Sequence, residues 1–184
     1  MSTELCLRHE CLLAMPDLRD DPFRGSVVYL CDHDADGAMG FVINRVTEMT
    51  LADLFAQLDL PAPIEAERPV LAGGPVSPER GFVLHDGHAT CASMPVGAGI
   101  YLSVGRDMLE AIAAGQGPQR FEVFLGYAGW GPGQLENELL ENAWLTGPGD
   151  AALVFETTVD QRQQAMAARI GFNYRQLSGQ AGHA

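Results

Sequence analysis

Lysine is absent from the 184-residue sequence, and all eleven cationic side chains are arginine. This absence excludes a Schiff-base lysine, a lysine general base and the lysine of a phosphate-binding P-loop. The 24 acidic residues give a formal net charge of −13 at pH 7. Because nucleic-acid binding needs clustered cations, we expect no direct binding to DNA or RNA; only a local patch assembled in three dimensions would support it.

The sequence also lacks a long apolar run and any paired-cysteine motif. No apolar stretch approaches the roughly 18 residues that a membrane-spanning helix needs. Charged residues interrupt the first 16 positions, so we expect no signal peptide, no membrane association and a cytoplasmic location. We therefore expect reduced, mostly buried thiols, with a redox or nucleophilic cysteine as the alternative, at Cys6, Cys11, Cys31 and Cys91.

Length and composition predict one globular domain over residues 1–184. Hydrophobic residues make up 47% of the chain and charged residues 19%, which is an ordinary globular composition. No internal repeat, low-complexity segment or linker rich in glycine and serine divides the chain.

Short apolar segments alternate with helical patterns, but without a strict strand–helix–strand rhythm. Strands are predicted at 11–15, 25–31, 38–44, 70–72, 81–85, 90–94, 100–104, 121–125 and 151–156. Helices are predicted after an N-cap at Thr50, and at 107–114, 134–144 and 157–170. The segments at 25–31 and 38–44 read as a β-hairpin, which requires antiparallel pairing. A mixed α+β domain is therefore preferred over a doubly wound parallel sheet.

The stretch 121–144 combines three signals: an apolar strand, a glycine-rich turn and an acidic amphipathic helix. The turn holds Tyr127 and Trp130 between four glycines, Gly126, Gly129, Gly131 and Gly133. A strand, a glycine turn and a helix N-terminus can place backbone N–H groups around an anion. The glycine spacing matches neither GxGxxG nor a P-loop, and the acidic helix start would repel a phosphate. Both interpretations of the glycine-rich segment, as a structural turn and as a ligand site, stay open.

Two further motifs could hold a metal ion. Residues 32–37 spell DxDxDG, the start of a calcium loop, but position 12 of that loop is Ile43 and the flanking segments are predicted strands. We interpret the motif as an acidic hairpin turn. His85 and His88 flank an Asp-Gly turn without an evident third ligand, so we interpret them as solvated turn histidines. We expect no metal and no cofactor.

A set of longer motifs carries a family resemblance over almost the whole chain. The motifs are LLAMP at 12–16, SVVYLC at 26–31, DGAMGFVINR at 36–45, GGPV at 73–76, RGFVLH at 80–85, GYAGWGPGQLENE at 126–138 and the terminal GHA. In these motifs the sequence resembles the AlgH/YqgE family of bacterial proteins. The resemblance implies a single compact α+β domain, with a mostly antiparallel, bent or bifurcated sheet forming a pseudo-barrel and about four flanking helices.

The resemblance implies no catalytic residues, because no activity is established for the family. Its name carries a link to the regulation of alginate production, which does not transfer as a mechanism. This chain departs from the family pattern at 163–166 and 172–174, which puts the packing of the C-terminal helix in doubt.

Two functions stay open on the sequence. The first is a non-enzymatic binding or regulatory module that contacts a protein partner or a small anionic ligand through some of Asn44, Arg45, Gly73, Gly74, Arg80, Tyr127, Gly129, Trp130 and Gly131. The second is an enzyme whose site is assembled from distant residues, for instance His85 with Asp86 or Glu136. A transcriptional regulator that binds DNA directly is disfavoured by the acidic charge.

Overall fold

One strongly curved sheet organises the chain in the computed structural model, which describes residues 6–16, 22–87, 92–97 and 99–173. The strands are β1 (Glu10–Ala14), β2 (Val27–Asp34), β3 (Gly37–Val42), β4 (Val46–Thr50), β5 (Pro69–Ala72), β6 (Val76–Asp86), β7 (Ser93–Gly97), β8 (Ile100–Val104), β9 (Phe121–Trp130) and β10 (Trp144–Pro148). The helices are α1 (Leu51–Gln57), α2 (Arg106–Ala113), α3 (Gln134–Leu140) and α4 (Arg162–Ile170), with a π-helical turn at Ala152–Glu156 and a 3-10 turn at Val159–Gln161.

The sheet branches at β9. Its main path runs β10-β1-β2-β3-β9-β6-β8-β7, and all of these neighbours are antiparallel. The C-terminal end of β9 pairs with β3, while its earlier part pairs with β6 and, in parallel, with β5. The predicted mixed, mostly antiparallel and bifurcated sheet is thus confirmed.

The last strand of the path curls back towards the first ones. The carbonyl of Val96 in β7 accepts a hydrogen bond from Tyr29 Oη in β2 at 2.8 Å and one from His9 Nδ1 at 2.5 Å. These contacts close the sheet into a half-barrel around a core that includes Phe41, Phe82 and Phe124. The predicted pseudo-barrel is confirmed in this form.

Two further apolar clusters lie outside the half-barrel. One joins β1, β2 and β3 to α3 through Trp130, Leu135 and Trp144. The other joins β6 and β9 to α1 and α2 through Phe55, Leu109 and Val123. None of the described helices is both long and apolar enough to cross a membrane.

Local signals in the sequence predicted several elements correctly. The hairpin of β2 and β3 forms, although its turn is shorter than the predicted 32–37, since Asp32 and Asp34 belong to β2. Thr50 caps α1 in a reciprocal capping box with Asp53, as predicted. Burial of the thiols is confirmed at Cys11 and Cys31, while Cys6 is exposed and Cys91 lies outside the described residues.

The segment 121–144 departs from its predicted layout. Strand β9 continues through the first two glycines, because backbone pairing with β6 and β3 outweighs the low strand propensity of glycine. Helix α3 ends at Leu140, where Asn142 takes a left-handed φ of 57°. Trp144 then begins β10, paired with Ala14, and is not the end of the helix.

The predicted strand at 151–156 is wrong. This segment forms a π-helical turn, because Asp150 Oδ1 accepts a hydrogen bond from the N–H of Leu153 at 2.8 Å and so starts a helical turn. The helix predicted from residue 157 begins at Arg162, since Thr157 has an extended backbone and a 3-10 turn follows it. Strand β4 was not predicted, and residues 90–91 of the predicted strand 90–94 lie outside the described residues.

Candidate functional site

The first two predicted ligand-binding residues hold the segment before β2. Asn44 Oδ1 accepts a hydrogen bond from the N–H of Val27 at 2.8 Å, and its Nδ2 donates to the carbonyl of Gly25 at 2.9 Å. The Arg45 guanidinium donates to the carbonyls of Pro22 and Arg24 and to the hydroxyl of Ser26. Both side chains therefore use their polar groups within the fold.

The predicted glycines at 73 and 74 lie where β5 meets β9. A Cβ on Gly73 would come within 2.3 Å of the carbonyl oxygen of Gly126, and one on Gly74 within 2.2 Å of the carbonyl carbon of Tyr127. Gly74 also has a φ of +155°, which side-chain-bearing residues rarely adopt. Close backbone approach explains why both positions are glycine.

The remaining predicted residues lie on two faces of the sheet. Tyr127 is half-buried and meets the Phe82 ring edge-on, with Arg80 5.6 Å above that same ring. Trp130 is 6% exposed and packs in the cluster on the opposite face. The N–H of Gly131 donates to the Gln134 side chain at 3.0 Å, so it does not point into an open cradle. Gly129 is exposed beside Tyr127.

A single carboxylate oxygen fixes both tryptophans. Glu138 Oε2 accepts hydrogen bonds from Trp130 Nε1 at 2.9 Å and from Trp144 Nε1 at 2.8 Å. Phe23 stacks on the first indole and meets the second edge-on. The glycine-rich segment thus joins a strand to a helix. That the nine residues bind a ligand stays a prediction.

The interpretation of His85 as a solvated turn histidine is wrong. Its side chain is fully buried on β6, whose residues 82–85 are buried on both faces of the sheet, and its Nε2 is hydrogen-bonded to Ser103 Oγ at 2.9 Å. Its Nδ1 faces the carbonyl of Asp86 at 3.1 Å. A base and a hydroxyl are therefore adjacent, and both side chains are buried. His88 and His183 lie outside the described residues.

His33 connects two parts of the structure. The N–H of Leu7 donates to His33 Nδ1 at 3.0 Å, so the ring proton is on Nε2, which donates to Glu136 Oε1 at 2.8 Å. The pKa of Glu136 is below its usual range, because its own backbone N–H and then the His33 ring bond its carboxylate. The neighbouring Asp32 pairs with Arg8 at 2.8 Å. Among the described residues, no group of three or more potential ligands could hold a metal ion.

An open cleft of about 400 Å³ lies between the start of β9 and the segment before α4. We call it the arginine cleft, and its lining is Glu65, Arg68, Gln119, Arg120, Phe121, Glu122, Phe155, Glu156, Thr157, Thr158, Val159 and Arg162. Its size falls in the range of small-molecule sites. None of the nine residues predicted from the sequence lines it.

The base of the arginine cleft is a buried ion pair. Arg162 is 1% exposed, and its Nη2 lies 2.7 Å from Glu122 Oε1. The same guanidinium donates to the carbonyls of Ile43, Val154 and Thr157. A charge this deeply buried needs such a complete set of partners. The pair therefore holds α4 and the π-helical turn against β9.

The two other arginines are half-buried at the rim of the cleft. Arg68 Nη2 lies 3.1 Å from Glu122 Oε2 and donates to the carbonyl of Phe121, while the guanidinium lies over the Phe121 ring. Its Nη1 pairs with Glu65, whose side chain is 57% exposed. Arg68 thus has one edge anchored inside and one edge facing a solvated carboxylate.

Arg120 repeats this arrangement. Its Nε donates to Asp86 Oδ2 at 2.8 Å, and its Nη1 pairs with Glu156, whose side chain is 59% exposed. The guanidinium carbon lies 5.8 Å from the centroid of the Phe155 ring. Burial disfavours the ionised Asp86, but hydrogen bonds from Arg120 outweigh this effect, so the pKa of Asp86 is lowered.

One residue in the sequence indicates this cleft, although it belongs to none of the predicted site motifs. Glu122 is a charged residue at an inward position of the apolar run that forms β9. A buried carboxylate is stabilised by a cationic partner, and every permanently charged cation in this chain is an arginine. Which arginine it would be, 40 residues away, was not readable from local pattern.

The chain matches known proteins over nearly its whole length. Residues 11–175 match a family model described as AlgH-like. A UPF0301 protein of Paraburkholderia phytofirmans is 49% identical over 183 residues, which cover 97% of this chain and 95% of that protein. A UPF0301 protein of Xanthomonas campestris is 49% identical over 181 residues, covering 97% of this chain and 96% of that one.

Solved structures share the fold. The solution structure of the AlgH protein from Pseudomonas aeruginosa superposes with a TM-score of 0.81 at 44% identity, covering 100% of this chain and 99% of that one. A crystal structure of a Corynebacterium diphtheriae protein superposes with a TM-score of 0.75 at 18% identity, covering 97% of this chain and 94% of that one, and shows likeness of fold alone. As the motifs predicted, the chain belongs to the AlgH-like family.

Proposed function

We propose that this protein is a non-enzymatic binding module and that a small organic anion binds in the arginine cleft. The observation that carries the proposal is the pair of rim arginines. Each guanidinium is held from inside by a less exposed carboxylate and paired outside with an exposed one. This arrangement fixes two cations in position while leaving an exchangeable edge on each.

Replacing an outer carboxylate with an anionic group of the ligand costs little free energy. Ion pairs between exposed side chains contribute about 0–1 kcal/mol, so a ligand carboxylate or phosphate can replace Glu65 or Glu156 at small expense. The inner partners Glu122 and Asp86 would stay bound and keep both guanidinium groups oriented. Arginine in such a fixed fork is suited to bidentate recognition of carboxylate and phosphate groups.

The residues of the cleft favour binding over catalysis. Its described lining includes hydroxyl groups at Thr157 and Thr158 but no histidine, cysteine or serine. The Thr157 hydroxyl donates to the carbonyl of Ala152 at 3.0 Å and so is used within the fold. Among the described residues, the lining therefore lacks the histidine, cysteine and serine side chains that most often serve as base and nucleophile, which supports a binding role.

The test is calorimetric titration with phosphate, succinate and citrate at millimolar concentration. We expect binding to the wild-type chain, a loss of at least tenfold in affinity with Arg68→Gln or Arg120→Gln, and no change with Arg106→Gln. Arg106 is the matched control, because it forms an exposed pair with Glu110 and lines no part of the cleft.

A second experiment looks for a gain of affinity, because a variant that is merely destabilised would not bind anions more tightly. The double variant Glu65→Gln/Glu156→Gln removes the competing carboxylates and should bind the same anions more tightly. No binding to the wild type and to the double variant would refute the proposal. Equal binding to the wild type and Arg120→Gln would also refute it.

A further inference from the structure

A second cavity adjoins the arginine cleft. It has a volume of about 240 Å³, and three of its lining residues, Glu65, Gln119 and Phe121, also line the cleft. The rest of its wall is small or apolar: Pro63, Ile64, Ile112, Gly115, Gly117 and Pro118. The two cavities are therefore neighbouring parts of one depression, of which one part is charged and the other is apolar.

An exposed isoleucine stands at the apolar part. Ile64 is 97% exposed, the highest value among the exposed large hydrophobic side chains of the described residues. An isolated exposed aliphatic residue is ordinary on a protein surface. Here it lines the same cavity as the buried Ile112, so an apolar group placed in that cavity would cover part of the exposed Ile64 side chain.

The boundary between the two parts is formed by Phe121 and Glu65. The Arg68 guanidinium lies 4.8 Å from the Phe121 ring centroid, so a cation and an apolar wall meet at this ring. The Glu65 side chain lines both cavities and occupies the outer edge of Arg68. Displacement of this side chain by a ligand carboxylate would expose Arg68 and connect the two cavities in one step.

We infer that the ligand is an amphipathic organic anion: a carboxylate held by Arg68 and Arg120, with an apolar body of several carbons or one ring in the cavity of Ile64 and Ile112. This inference rests on the proposed anion site and adds the ligand class. Charge complementarity selects the anionic head, and the apolar wall selects a body that phosphate or citrate lacks.

The experiment compares acetate, butanoate and hexanoate, each titrated into the wild-type chain and followed by NMR chemical shifts or calorimetry. Burial of one methylene group contributes about 0.8 kcal/mol, which is roughly fourfold in affinity. Two added methylene groups should therefore strengthen binding about fifteenfold from butanoate to hexanoate. Ile64→Glu should abolish this gain, since it places a like charge in the apolar cavity.

The matched control is Leu140→Glu. Leu140 is 81% exposed on α3 and lines neither cavity, so this variant should keep the full chain-length dependence. If acetate and hexanoate bind with equal affinity, and Arg120→Gln abolishes the binding of both, the inference about the apolar cavity is overturned while the anion site is supported. A length dependence that persists in Ile64→Glu would overturn it as well. No binding of any anion would overturn both proposals.

Discussion

Arg162→Met is the substitution expected to damage this fold most clearly. Methionine has a similar length and fills space adaptably, so the variant removes the charge and the hydrogen bonds while leaving little cavity. Glu122 would lose its closest cationic partner, at 2.7 Å, and keep only Arg68 at 3.1 Å. The carbonyls of Ile43, Val154 and Thr157 would lose their donors.

The magnitude follows from the cost of an uncompensated buried charge. Removing one partner of a buried pair costs about 3–5 kcal/mol, and a domain of this kind has about 5–15 kcal/mol of unfolding free energy in total. The residual contact with Arg68 reduces this cost, and the loss of donors to three carbonyls offsets that reduction. We expect a net loss of about 3–5 kcal/mol.

Urea denaturation followed by tryptophan fluorescence measures this loss. Arg106→Met is the control, because its exposed pair with Glu110 should contribute less than about 1 kcal/mol. The double variant Arg162→Met/Glu122→Met removes both charges and should recover part of the loss. A loss below about 1 kcal/mol in Arg162→Met, or a double variant less stable than the single one, would refute the reasoning.

Three other perturbations have defined outcomes. Glu138→Leu leaves two buried indole N–H groups without their acceptor and should cost about 2–4 kcal/mol with a red shift of fluorescence, since both tryptophans of the chain donate to this carboxylate; unchanged emission would contradict this. Because the pKa of Asp86 is lowered in the folded state, its ionised carboxylate stabilises the fold above pH 3.8, and this stabilisation is lost as the pH falls through the folded-state pKa. In urea titrations from pH 7 to about pH 2, the free energy of unfolding should therefore depend less on pH in Arg120→Gln than in the wild type. Gly97→Ala would place a Cβ 2.0 Å from Tyr29 Oη, where the half-barrel closes, and should cost about 1–3 kcal/mol in thermal melts; wild-type stability would contradict the close approach.

Elements with a complete local signal could be predicted from the sequence. The hairpin of β2 and β3 carries its β-branched runs and its turn in one contiguous stretch. The start of α1 needs only Thr50 and Asp53, which bond each other across one helical turn. The family was likewise readable, because its motifs are long, contiguous runs of residues.

Elements whose signal is non-local were predicted wrongly or not at all. Residues 126–130 read as a glycine turn, yet they are strand because β3 and β6 supply the pairing partners from far along the chain. Residues 151–156 read as an apolar strand, but both strands and buried helical turns have apolar side chains, so periodicity could not separate them. The side chain of Asp150 and the contact with Arg162 decide between the two states.

The candidate site also combines features that the sequence determined with features that only the tertiary structure decided. The sequence by itself determined that every cation is an arginine, that Glu122 stands in an apolar strand, and that the chain has the motifs of one family. Only the tertiary structure decided that Arg68, Arg120 and Arg162 converge on one cleft, while Asn44, Arg45 and Trp130 use their polar groups within the fold. The physical reason is the distance along the chain over which each interaction acts: hairpin pairing and helix capping join residues close in sequence, whereas long-range strand pairs and buried charges find their partners only once the whole chain has folded.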